Sequence, residues 1–63
     1  MTPAEAIRNA REKAGLTVKQ LAAKIGVAPF QIYRWEWVGP PVPRPEMMRK
    51  IVDATGQPIR VDY

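Results

Sequence analysis

Residues 17–36 read TVKQLAAKIGVAPFQIYRWE, and this stretch decides the fold. Thr17 and Gln20 stand three apart, the spacing of a capping box in which each side chain satisfies a free amide at a helix start. Leu21, Ala22 and Ile25 then recur at helical spacing and give the short helix one apolar face. Gly26 stops it, because glycine enters the left-handed conformation that a tight helix exit needs. Pro29 restarts a helix, since its fixed φ suits a first helical position where the missing amide costs nothing. Ile32 and Trp35 share one face of this second helix, which leaves Phe30, Gln31, Tyr33 and Arg34 pointing elsewhere. Two short helices joined by a glycine-containing turn make a helix-turn-helix.

These residues resemble the helix-turn-helix of the Cro and phage-repressor family of transcriptional regulators. The matching positions are Ala22, small where the helices cross, Gly26 in the turn, Val27 just after it, Ile32, and the pair Trp35-Glu36. Arg11 also matches, at a position where the family often carries an arginine paired with the residue found here as Glu36. One departure is Val18, which stands where the family often has a phosphate-contacting glutamine. The resemblance covers roughly residues 4–56 and implies a mainly α, four-helix repressor-like fold with residues 17–36 as helices 2 and 3, in a chain read as one domain over residues 1–63.

Size and composition set limits that agree with this. Sixty-three residues fit one domain. So short a chain buries only about 60% of its unfolded surface, so marginal stability is expected. There is no cysteine, hence no disulfide or thiolate metal site, and no histidine, hence no imidazole base or ligand. No cofactor, metal or small-molecule ligand is expected. The formal charge is +4 and the isoelectric point about 10.0, a mild basic excess that points to a polyanion only in company with the motif. No apolar run approaches the roughly 20 residues of a membrane span, and no signal peptide is visible. A cytoplasmic location is expected, in a bacterial cell and at the nucleoid if the phage-repressor resemblance holds.

Outward from the motif, Thr2 and Glu5 form a second capping box with Pro3 at the first helical position. Ala4, Ile7, Ala10 or Arg11, and Ala14 make the inner stripe of this helix, leaving Arg8, Glu12 and Lys13 to water. Arg11 is either a surface arginine or the partner of Glu36 in a shielded pair. Residues 38–44 are expected as a loop, because four of the seven prolines fall between positions 40 and 45 and exclude a helix there. Pro45 and Glu46 start the last helix, whose apolar face is Met47, Met48, Ile51, Val52 and Thr55, with Gly56 as its stop. Beyond Pro58, Ile59, Val61 and Tyr63 alternate with Arg60 and Asp62, the period of a strand. A lone strand lacks partners for its backbone. Residues 57–63 are therefore either a frayed tail or a short C-terminal strand that pairs with a second subunit.

The resemblance assigns roles. The first motif helix lies across the DNA backbone, and its free amides with Thr17 and Lys19 form a phosphate seat. Pro29, Phe30 and Arg34 fall on the family's base-reading positions, with Gln31 and Tyr33 beside them. Chemistry permits Arg34 a bidentate contact to guanine, Gln31 a pair with adenine, and Phe30 a contact with thymine methyls. Phe30 as ordinary core, and Tyr33 as a helix cover or phosphate contact, remain open at this point. So does Trp37, placed where the helix is expected to fray: it covers the core, sits beside DNA, or joins a dimer contact. Arg44 is placed to reach a phosphate. Ile59, Val61 and Tyr63 are the expected homodimer contact, as the Cro branch uses C-terminal chain for dimerisation.

The reading is thus a sequence-specific double-stranded DNA-binding regulator, a Cro-like repressor that binds a pseudo-palindromic operator as a dimer. The alternative keeps the fold as an antitoxin-like or accessory module whose main partner is a protein. An enzyme is disfavoured: beside the missing histidine and cysteine there is no glycine-rich phosphate loop and no carboxylate cluster.

Overall fold

The computed structural model describes residues 2–38 and 42–60. Both capping boxes form. At the start of α1 (Pro3–Lys13) the Glu5 amide donates to Thr2 Oγ1 at 3.2 Å, and the Thr2 amide reaches back to Glu5 Oε1 at 3.4 Å. At the start of α2 (Val18–Ile25) the Gln20 amide donates to Thr17 Oγ1 at 3.1 Å and the Thr17 amide to Gln20 Oε1 at 2.9 Å. Gly26 then takes φ 78°, and its amide closes on Ala22 O at 2.9 Å. A side chain would strain that left-handed backbone, which is why the turn needs glycine.

Pro29 opens α3 (Pro29–Tyr33), and Pro45 opens α4 (Pro45–Thr55), which Gly56 caps at φ 68°. Among the described residues the fold is mainly α, with four α-helices and no strand. Ile7, Leu21, Ile32 and Ile51, one from each helix, are fully buried and meet in a single core. Ala10, Ala22, Ile25, Trp35 and Met48 fill the space around them, and Ala22 at 1% exposure lets α2 and α3 approach closely. Val18 is buried with them, so the departure from the family glutamine gives a core residue in place of a polar contact. α2 packs against both α3 and α4, while α1 packs against α4 and the segment after α3.

Two expectations are corrected. The second motif helix does not fray after Glu36; it runs on through Arg34–Val38 with π-helical winding, so Val38 belongs to the helix rather than the loop. Contacts of Glu36 and Trp37 with α1, described below, hold this segment in place. Second, Arg8 is half-buried rather than turned wholly to water. Residues 57–60 form no strand within the single chain; the expected pairing draws its partner from a second subunit. Ile59 instead packs, half-buried, against the chain's own core. Val61 and Tyr63, the rest of the expected dimer contact, lie outside the described residues, as do positions 39–41 of the proline-rich loop.

Candidate nucleic-acid interface

The orientation of α3 is set from its inner side. Ile32 and Trp35 are buried in the core, and Glu36 is tied to α1 by a bidentate contact. Arg11 Nε donates to Glu36 Oε2 at 2.7 Å and Nη2 to Oε1 at 3.0 Å, while Nη1 donates to Leu16 O at 2.9 Å. The Glu36 side chain has no exposure and that of Arg11 only 12%, so water competes little for the pair. The hydrogen bond to Glu36 raises the affinity of Arg11 for its proton above the ordinary value, with burial acting in the opposite sense. A charged group this enclosed is tolerated because every donor on one edge of the guanidinium has an acceptor.

Turning the inner side inward presents the opposite side outward. Phe30 is 61% exposed and Tyr33 52%, and Pro29 and Arg34 are exposed beside them. Phe30 is therefore not a core residue. Gln31 is half-buried and separates from this group. On a helix that turns about 100° per residue, Gln31 and Tyr33 lie on opposite flanks and Phe30 and Arg34 in the arc between them.

Each flank borders an open cleft with cations in its wall. On the Tyr33 side the cleft is lined by Arg11, which is committed to Glu36, by Glu12, and by Thr17 and Lys19 at the start of α2. Thr17 Oγ1 already accepts the Gln20 amide, but its hydroxyl proton is still available to donate. On the Gln31 side Arg44, Glu46 and Lys50 surround a floor that includes Trp35 and Val42. Arg44 is the residue before α4, with extended backbone and no side-chain cap bond. The exposed side of α3 is thus a central strip with an open cleft along either edge, one holding Lys19 beside Glu12 and the other Arg44 and Lys50 beside Glu46. A family model described as helix-turn-helix matches residues 7–61. The chain belongs to the Cro/C1-type helix-turn-helix family. No curated protein and no solved structure matched it.

Membership makes the chain a DNA-binding regulator of the Cro/C1 type in general terms, with α2 and α3 as the motif. No helix among the described residues is long and apolar enough to cross a membrane, and these residues hold no His, Cys, Asp and Glu cluster suited to a metal ion. Of the residues singled out from sequence, the structure gathers Thr17, Lys19 and Tyr33 at one cleft and Gln31 and Arg44 at the other. It leaves Ile59 away from both. Sequence reasoning missed Lys50 and Arg8. The Arg8 guanidinium carbon sits 4.7 Å from the centre of the Trp37 ring, a cation–π contact, and Trp37 is otherwise 59% exposed. The signal was present: Arg8 lies one helical turn before Arg11, and Trp37 follows the partner of Arg11.

Proposed function

We propose that this helix-turn-helix protein is a Cro-like repressor that binds a pseudo-palindromic operator as a homodimer, with residues 1–63 acting as one domain. The observation that carries the reading is the exposed strip on α3 between two clefts that present Lys19 on one side and Arg44 with Lys50 on the other. A major groove is bounded on each side by a phosphate backbone, so a helix that enters it needs cations on both flanks. Thr17, Lys19 and Tyr33 would take phosphates on one side and Arg44 those on the other. Pro29, Phe30 and Arg34 would face base edges, with Arg34 forming a bidentate contact to guanine. Gln31 stands at the edge of this reading face. A protein of this kind works in the bacterial cytoplasm at the nucleoid, and phage or prophage repressors share its layout.

Dimerisation follows from reach. One α3 spans only a few base pairs, whereas two copies about 34 Å apart read successive faces of the groove. The C-terminal segment remains the proposed contact, and because Ile59 serves its own core, Val61 and Tyr63 carry it. The experiment is selection of bound sequences from a random duplex pool, followed by salt titration of the winner. A pseudo-palindromic consensus and a steep fall of affinity with salt are expected. Deleting residues 61–63 should leave helical circular dichroism intact while reducing affinity for the full site to that for a half-site. Undiminished affinity after the deletion would place the dimer contact elsewhere.

An accessory module with a protein partner is the second reading, and exposed Trp37 and Val42 are what favour it. Duplex binding that is weak at low salt and shows no preferred sequence would decide for that reading.

A further inference from the structure

We propose that the leading turn of α3 recognises pyrimidine 5-methyl groups in the major groove, so that thymine is read there through its methyl, and 5-methylcytosine can replace it. The inference rests on the DNA-binding reading above and names what that surface takes. Ala28, Pro29 and Phe30 are consecutive and all exposed. None has a side chain that donates or accepts a hydrogen bond, and Pro29 also lacks a backbone amide proton. Ala28 stands at the helix start without any side-chain cap bond. Phe30 holds its ring 61% in solvent at the point of the turn.

In helix-turn-helix docking this first turn meets the base edges. Those edges carry polar atoms at every base pair and one apolar group, the thymine methyl. A cytosine amino group pressed against Phe30 would lose its water without gaining an acceptor, which is unfavourable. A methyl pressed against the same ring leaves water favourably. Discrimination therefore comes from both sides of the comparison. What commits this apolar surface to DNA rather than to an apolar peptide is its setting. Arg34 is exposed next to it, Lys19 and Arg44 stand on its two flanks, and the chain as a whole carries +4. Tyr33 is not part of the methyl-reading surface, since it lines the cleft with Thr17 and Lys19.

The test uses the full chain and the duplex it selects from a random thymine-containing pool. Deoxyuridine is placed for thymidine one position at a time, which removes the methyl and keeps the base pair and its O4 acceptor. At one or two positions per half-site, affinity should fall roughly fourfold for each methyl removed. At the same positions a 5-methylcytosine–guanine pair should bind more tightly than a cytosine–guanine pair. Phe30→Ala should erase both differences without altering helical circular dichroism, because the ring is exposed. If Phe30→Ala binds too weakly to compare, Phe30→Leu should keep the ordering and Phe30→Gln should lose it. Equal affinity for uracil and thymine at every position overturns the inference, and so does full methyl discrimination in Phe30→Ala. A pool that enriches no duplex overturns the DNA-binding reading and the inference together, a result distinct from an enriched duplex indifferent to methyls.

Discussion

The inner and outer sides of the helical run from Pro29 to Val38 obey different constraints. On the inner side Ile32, Trp35 and Glu36 are each 5% exposed or less, and each has a fixed partner in the core or on α1. On the outer side Phe30, Tyr33 and Arg34 are exposed. The first set makes the fold and tolerates little change. The second contributes little to stability and is available to read a ligand. One short segment therefore separates the two properties by angle around its axis, and a variant should disturb one without the other.

The largest expected effect breaks the inner side. Glu36→Ala leaves the Arg11 guanidinium enclosed with only Leu16 O as acceptor. It should cost about 1–3 kcal/mol more than Glu46→Ala, which removes an exposed carboxylate at the start of α4. A 63-residue chain holds only about 3–9 kcal/mol in total, so the difference should be plain in thermal melts. Equal melting temperatures for the two variants would show that the pair adds nothing beyond a surface charge.

Breaking the outer side should leave melting unchanged and alter binding. Arg34→Ala should relax preference at one base pair per half-site, at roughly 1–3 kcal/mol of discrimination. Lys19→Ala should weaken all duplexes alike and reduce the salt slope by about one unit. The two are told apart by repeating the selection. A sequence preference for Arg34→Ala that is indistinguishable from the parent would remove Arg34 from the reading face.

How far the sequence discloses this division depends on the range of the signal. The capping boxes at Thr2 and Thr17, the proline starts and the glycine stop at Gly26 are local chemistry, and they appear where the residues demand them. The proximity of Arg11 to Glu36 spans 25 positions and was legible only through family resemblance. Nothing in RWEWV encodes π winding, because no residue type specifies the i→i+5 bond. The alternation of Ile59 with Arg60 looks like a strand, but a partly buried side chain next to a core needs no strand to satisfy it. Gln31 reads as outward from its spacing, since its flank becomes covered only when Val42 and α4 fold over it.

The smallest expected effect lies at the boundary between the two sides. Trp37 is 59% exposed like the outer residues, yet Arg8 of α1 sits 4.7 Å over its ring, as an inner residue would be held. The ring face carries partial negative charge and attracts the guanidinium, but water reaches both groups and weakens the attraction. A double-mutant cycle of Arg8→Ala and Trp37→Ala should therefore give a coupling of about 0.5–1 kcal/mol, less than the effect at Glu36. Arg8→Lys should recover part of it, since an ammonium is also attracted to the ring but does not stack flat on it. Exact additivity of the two single variants would mean that α1 does not restrain Trp37. The ring would then belong wholly to the outer side, and the segment from Arg34 to Val38 would be held in place by the Glu36 pair and the buried Trp35 without it.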